Sequence, residues 1–213
     1  MTDAAARAAL VASVRAEVAA RHPRDDRESW SLRRTLAMLD WLPAPLDEHA
    51  DPVHVTGSAV VLDTDGRVLL HHHKRLRRWL QPGGHVDPGE HPAATARRET
   101  LEETGIDADH DTTGPQLIHV DVHEGPRGHV HLDLRYLLRA ERGLLPDPGP
   151  GESPHVDWFG PAAASARADV SLRAALDAAW AHTARTARRP GEVGQRDATA
   201  SRTTLTTPRG GPR

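Results

Sequence analysis

The chain contains no cysteine, so neither a disulfide framework nor thiolate chemistry is open to it. Aromatic residues make up only 3% of its 213 residues, with a single tyrosine and a single phenylalanine. A core must therefore rest on leucine, valine and alanine. No apolar run approaches the length needed to cross a bilayer. The opening MTDAAARAALVASVRAEVAARH is interrupted by Asp3, Arg7, Arg15 and Glu17 and lacks the basic-then-apolar layout of a secretory signal. A formal charge of −3 and a pI near 6.6 argue against a dominant role on nucleic acid or a membrane surface. These absences predict a soluble, cytoplasmic protein, and the length suits one domain with extensions better than two domains.

What is present is concentrated between Gly83 and Ile106, GGHVDPGEHPAATARRETLEETGI. The second half is a predicted helix. Pro92 suits the first helical position, where its missing N–H would be an orphan in any case. Ala93, Ala94 and Ala96 propagate the helix well, and Gly105 stands where a left-handed residue ends it. Glu99 and Glu103 are four residues apart and Glu99 and Glu102 three apart, so the three carboxylates share one face. Like charges stacked in this way repel by roughly a few tenths of a kcal/mol per pair even when exposed. A cation is therefore expected among them, and clustered hard oxygens suit Mg²⁺ or Mn²⁺. The first half is a predicted loop. Gly83 and Gly84 permit a tight turn close to another group, and Asp87, Pro88 and Gly89 make a second turn. Such a loop, entering a helix with an acidic face behind it, can hold a metal and a phosphate chain together.

The spacing is specific: Gly84, five positions, Glu90, seven positions, Arg98-Glu99, two positions, Glu102-Glu103, one position, Gly105, then the apolar Ile106. In this the sequence resembles the Nudix box, the signature of hydrolases that cleave a diphosphate linked to another moiety. Every fixed position is filled, and the one departure is Thr100, where a small apolar residue is commoner. Seven specified residues at roughly 7% frequency each would coincide by chance about once in 10⁸ placements, which sets aside an ordinary solvated acidic helix. The resemblance implies an α/β fold, a Nudix-type α/β/α sandwich around a mixed β-sheet. It also implies Mg²⁺-dependent cleavage of a diphosphate in a nucleoside diphosphate-linked or related substrate, with Mn²⁺ as a substitute. By the same resemblance the Gly84 carbonyl joins Glu99, Glu102 and Glu103 as a metal ligand.

Around the box the chain reads as a helical extension over 1–50, a hydrolase domain over 51–187 and a tail over 188–213. Leu10, Val11, Val14 and Val18 form an apolar helical stripe with Asp3 as N-cap. A second helix runs from about Arg27 to Trp41, with Leu32, Leu36 and Leu39 inward, until Pro43 and Pro45 end it. Such a pair packs on the following domain or on a partner subunit, so a homodimer is one expected state. Gly57–Asp63 and Arg67–His73 are predicted strands joined by the Asp65-Gly66 turn. His71, His72 and His73 look like a metal tract, but adjacent strand residues face opposite ways and do not converge on one ion. The basic run Lys74, Arg75, Arg77 and Arg78 leads into the glycine loop, and Arg75 and Arg78 are expected at substrate phosphate. Further strands follow over 116–123 and 130–138. In the latter, His129, His131, Asp133 and Arg135 alternate with Val130, Leu132 and Leu134, and His131 and Asp133 are expected to line the cleft and position substrate or water. A strand from His155 to Phe159 and one helix from Pro161 to about Thr186 complete the domain. The tail has little apolar residue beyond Val193 and Leu205 and is expected to be disordered. Its arginines have no interleaved aromatics, so no specific nucleic-acid site is expected.

A diphosphate repels both a carboxylate site and an attacking hydroxide. Divalent cations neutralise the phosphate oxygens and lower the pKa of bound water. Arg98, one position off the ligand face, is expected to pair with Glu90 or another box carboxylate and so orient the ligands. The family places its base variously, and Glu102, Glu103 and Glu152 are all candidates. Glu152 enters because its Glu-Ser-Pro-x-Val-x-Trp context resembles a late loop and strand of Nudix domains. Two readings compete: a module that binds a nucleotide derivative without cleaving it, and an enzyme of the same fold with other chemistry, such as an isomerase. The complete set of box glutamates speaks against the first. The expected partner is a small-molecule diphosphate, with no membrane and no specific nucleic acid.

Overall fold

The computed structural model describes residues 3–187, and the tail over 188–213 lies outside the described residues. Helices α1 (Asp3–Ala20) and α2 (Asp26–Trp41) open the chain. α1 starts at Asp3 itself, and Asp25 caps α2 by accepting from the Glu28 N–H at 2.7 Å. Their inward stripes bury Val14, Val18, Leu32, Met38 and Leu39 on the sheet of their own chain. The same face of α2 also buries Glu28, Ser31 and Thr35, which apolar spacing alone does not foresee.

Seven strands follow: β1 (Val53–Asp63), β2 (Val68–His73), β3 (Arg78–Leu80), β4 (Gly83–His85), β5 (Gln116–Glu124), β6 (Val130–Ala140) and β7 (Val156–Phe159). Their order is β3-β2-β1-β6-β5, with β4 also on β1 and β7 on β2. β1 and β6 run parallel from Val53↔Val130 to Asp63↔Ala140, and the other pairs are antiparallel, so the sheet is mixed. β5 is an edge, and an open edge needs its outward N–H groups satisfied. α2 supplies this. The Glu28 carboxylate accepts from the Val120 N–H at 3.3 Å and the Ser31 hydroxyl from the Val122 N–H at 3.2 Å. Arg21 Nε and the Arg24 N–H, at 2.8 and 2.7 Å, hold Glu28 in turn.

Helix α3 (Pro92–Thr104) lies with α1 and α2 on one face of the sheet, where Ala93 and Ala96 meet Val55, Val61, Leu134 and Tyr136. Helices α4 (Pro161–Arg167) and α5 (Val170–Ala187) lie on the other, where Leu172 and Leu176 meet Val60, Leu62, Leu70 and Leu137. This is the α/β/α sandwich. Two local expectations are corrected. Gly83–His85 is a short strand rather than loop, because the outer side of β1 offers it a ladder through Gly57↔Gly84. The single late helix is two, because Asp169 turns its carboxylate onto the Leu172 N–H at 2.8 Å and starts a new helix. Tyr136 is fully buried and donates its hydroxyl to Glu17 at 2.7 Å, so it belongs to the core under α1.

Gly105 ends α3 with φ +70°, its N–H on the Leu101 carbonyl. A Cβ there would lie 2.1 Å from the Asp147 carbonyl oxygen. Gly105→Ala therefore meets both a left-handed backbone and a rigid neighbour and should cost at least about 2 kcal/mol. Urea denaturation measures it, and an unchanged midpoint would show that this turn yields freely.

Candidate active site

Period two decides what the sheet presents beyond the helices. On β1, Val60 and Leu62 face α5, so Ser58, Thr56 and His54 face the same way. On β6, Leu137 does so and brings Arg135, Asp133 and His131 with it. β5 reaches the same face through a register shift between Leu117 and His119, which carries Asp121 and His123 round. α5 covers only one end of this face. The other end is the floor of a cleft of about 980 Å³, walled by β4, by Glu99 and Glu103 of α3, by Arg75 of the basic turn and by Arg78 of β3.

The acidic wall comes from α3. Glu103 accepts from the Gly83 N–H at 2.9 Å, and His71 Nε2 lies 3.8 Å from it. Burial, with the charges of Glu99, Glu152 and Glu102 adding, pushes its pKa up to about 8 against the pull of that N–H. Burial likewise raises Glu99. The Glu99 carboxylate lies flat on Gly84, where a Cβ would stand 2.4 Å from Oε1 and 2.8 Å from Oε2. No residue with a side chain fits there.

Arg98 is the cation already among these groups. Its Nη1 donates to Glu99 at 2.8 Å and to Glu102 at 3.2 Å, and its Nη2 to Glu90 at 3.0 Å and to the His85 carbonyl at 2.9 Å. Although one step round the helix, its long side chain folds back over three glutamates. Burial pushes the pKa of Glu90 up, but the hydrogen bonds from Arg98 and Thr95 outweigh it and hold Glu90 below its usual range. Burial lowers the pKa of Arg98 less than Glu90 and Glu99 raise it, so the guanidinium stays charged.

The floor is a buried charge network. Arg135, fully enclosed, donates to Asp133 at 2.8 Å, to Ser171 at 2.9 Å and to Asp121 at 3.3 Å. Asp133 also accepts from Thr56 at 3.1 Å and Ser58 at 3.0 Å. Burial works against Asp121, yet the His123 hydrogen bond and the Arg135 charge hold it well below the usual carboxylate range.

The structure thus brings Gly84, Glu99, Glu103, Arg98, Arg75, Arg78, His131 and Asp133 to one cleft. Glu102 stands on its rim with its side chain 56% exposed. Glu152, exposed in the turn before β7, is close enough for its charge to act on Glu103 and His73. The histidine tract splits: the rings of His71 and His73 lie 6.0 Å apart, while His72 turns to Trp79 at 5.5 Å. Sequence reasoning missed Thr56, Ser58 and Asp121. For Asp121 a signal existed, since His119, Asp121 and His123 alternate with apolar residues as the noted set on β6 does. Thr56 and Ser58 were hidden at the start of a strand that reads as continuously apolar.

Residues 52–179 match the family model of the NUDIX domain. The chain belongs to the Nudix family. Over 41 residues it is 54% identical to the mouse bis(5'-nucleosyl)-tetraphosphatase (asymmetrical), covering 19% of this chain and 28% of that protein. Over 49 residues it is 47% identical to the putative 8-oxo-dGTP diphosphatase of Bacillus subtilis, covering 23% of this chain and 33% of that protein. The chain therefore spans only about a third or less of the length of these Nudix relatives. Among solved structures, a Caenorhabditis elegans Ap4A hydrolase binary complex superposes with a TM-score of 0.53 at 22% identity, covering 61% of this chain and 97% of that one, and so shares its fold. Among the described residues no helix is long and apolar enough to cross a membrane.

Proposed function

We propose that this Nudix chain hydrolyses a diphosphate bond in a nucleoside polyphosphate or related nucleotide derivative, with Mg²⁺, or Mn²⁺ in its place, at Glu99, Glu102, Glu103 and the Gly84 carbonyl. One observation carries the reading: Glu103 and Glu99 are sunk into the wall of an open cleft against Gly83 and Gly84, where no side chain intervenes. An all-oxygen donor set of this kind suits a hard divalent cation. When bound, the cation supplies charge neutralisation at the phosphate oxygens and a lower pKa for the attacking water.

The protein's own part is positioning. Arg98, tied to Glu90 and to the His85 carbonyl, fixes one oxygen of Glu99 and one of Glu102, which sets how both carboxylates face the cleft. Arg75, exposed on the turn opposite, and Arg78, at the start of β3 with Nη1 3.4 Å from Asp169, line the cleft and are our candidates for the phosphate chain. Asp133 and His131 stand on the cleft floor, and Asp133 acts by holding Thr56, Ser58 and Arg135 in place. Of the three base candidates Glu103 suits best. It lines the cleft, held by the Gly83 N–H, whereas Glu102 and Glu152 are exposed outside its lining. The names of the mouse and Bacillus relatives favour nucleotide polyphosphates as the substrate class.

The test is a phosphate-release panel of nucleoside triphosphates, dinucleoside polyphosphates and nucleotide sugars, with and without Mg²⁺, in ¹⁸O-labelled water. Mg²⁺-dependent release with label in a phosphate product is expected. Tight binding without product would mark a recognition module, and product without label would mark different chemistry.

A further inference from the structure

Four histidines meet at one end of the sheet, beside the cleft that His85 and His131 also line. His54 is on β1, His85 on β4, His131 on β6 and His129 in the turn before β6. One ligand nitrogen from each lies within 4.8 Å of the other three. The His54 ring centroid is 5.1 Å from those of His85 and His129 and 5.2 Å from that of His131. The register explains the meeting. His54 pairs with His131 across the parallel ladder, and His85 pairs with Thr56, two residues along from His54. His129 precedes His131 by two, the strand period that returns a side chain to the same face.

The ring nitrogens are oriented. His54 Nδ1 is 3.1 Å from the Asp51 carbonyl oxygen, which only accepts, so Nδ1 carries the proton and Nε2 a lone pair. His85 Nδ1 is 3.1 Å from the Glu48 carboxylate, with the same consequence. Nε2 of His54, His85 and His131 are all buried and have no hydrogen-bond partner among the described residues. Buried ring nitrogens without a partner are costly, and three in one place are not a packing accident to be expected of a stable core. His123, also near, is committed elsewhere through Nδ1 to Asp121 at 3.2 Å. A carboxylate behind Nδ1, as Glu48 is to His85, is the usual support of a metal-bound imidazole.

We propose that His54, His85, His129 and His131 form a second metal site, for a tetrahedral divalent transition ion of the zinc class. Four imidazole nitrogens suit Zn²⁺ and disfavour Mg²⁺. Zn–N bonds of about 2.0–2.1 Å put tetrahedral ligand atoms roughly 3.3 Å apart, so the cluster closes by small ring movements, for which the turn carrying His129 gives room. The ion would tie the starts of β1 and β6 to β4 at the cleft wall. This site shares no metal ligand with the proposed hydrolytic centre, although His85 and His131 also line that cleft, so its test reads ion uptake and not turnover.

The test uses full-length protein without an affinity tag, stripped with chelator and titrated with Co²⁺ in excess Mg²⁺. One equivalent is expected to bind with the intense visible absorption of tetrahedral cobalt and to be displaced by Zn²⁺. Free Zn²⁺ about 100-fold above its Kd should raise the melting midpoint by about 5–10 °C. His129→Ala, at a partly exposed turn position, should leave three imidazoles and a water on the ion, weakening uptake by about 10-fold or more and shifting the cobalt spectrum. Glu48→Gln should weaken uptake by about 10–100-fold, and Glu103→Gln should leave it unchanged. Absence of uptake, a weak octahedral-type spectrum, unchanged affinity and spectrum in His129→Ala or loss of uptake in Glu103→Gln would each overturn the assignment. His129→Ala keeps the test decisive even if a variant at the buried His54 does not fold.

Discussion

Glu103→Gln should cut turnover by about 10²–10³-fold and at the same time make the metal-free protein more stable at neutral and alkaline pH. Both follow from the same burial. The carboxyl is enclosed beside Glu99, with only the Gly83 N–H to favour its charge, and its pKa rises from 4.5 to about 8. The folded state therefore holds this proton more tightly than the unfolded chain does. Between these two values the unfolded state has released the proton and the folded state has not. The stability that the proton contributes is full below about pH 4.5 and is lost as pH rises through about 8, by at most about 1.4 kcal/mol per unit. Glutamine keeps the shape and an acceptor for Gly83 but never ionises, so its pH slope lacks this loss. Melting curves of both proteins in chelator from pH 5 to 9, read as a difference, isolate the effect from the many histidines. Near-normal turnover by the variant on the true substrate would sink the ligand assignment. Parallel pH curves would show that Glu103 is not held as described.

Arg135→Met should destabilise the domain by about 3–5 kcal/mol. The guanidinium is enclosed between Asp133 and Asp121 and also bonds Ser171. Its removal leaves Asp133 buried without a counter-charge and Asp121 with only Arg27, at 3.0 Å, to balance it, far costlier than the lost contact itself. Because Asp133 also orders Thr56 and Ser58, the cleft floor should loosen with the core. Urea denaturation gives the magnitude. Adding Asp133→Asn should recover part of the loss, since it removes the stranded charge. A loss below about 1 kcal/mol would mean that solvent reaches this network and screens it.

These two sites were not equally legible. The glutamates of α3 were readable from residue numbers because i, i+3 and i+4 share a helix face whatever surrounds the helix. Pro92 and Gly105 could be placed for the same reason, since each meets a local backbone requirement. Asp133 and Arg135 were visible as one polar stripe on a strand, but nothing in the stripe named Asp121 or Ser171 as their partners. The buried face of α2 was half seen. Leu32 and Leu39 announce themselves by spacing, while Glu28 and Ser31 have meaning only against the open edge of β5. The late helix was read through Asp169 because a cap and a helix-interior aspartate look alike until the chain turns.

By itself the amino-acid order determined the acidic helix, its two ends, the glycine pair before it and the alternating strands, all of which depend on neighbours within about one or two turns or a few strand residues. Only the tertiary structure decided that β6 lies parallel to β1, and with it that His54 faces His131, that Arg135 lies between two aspartates, and that Arg98 spans three glutamates. The physical reason is register. A one-residue slip of a strand sends every side chain to the other face, and the register between strands so far apart in the chain is fixed by the packing of two helical layers on the sheet rather than by any short-range pattern.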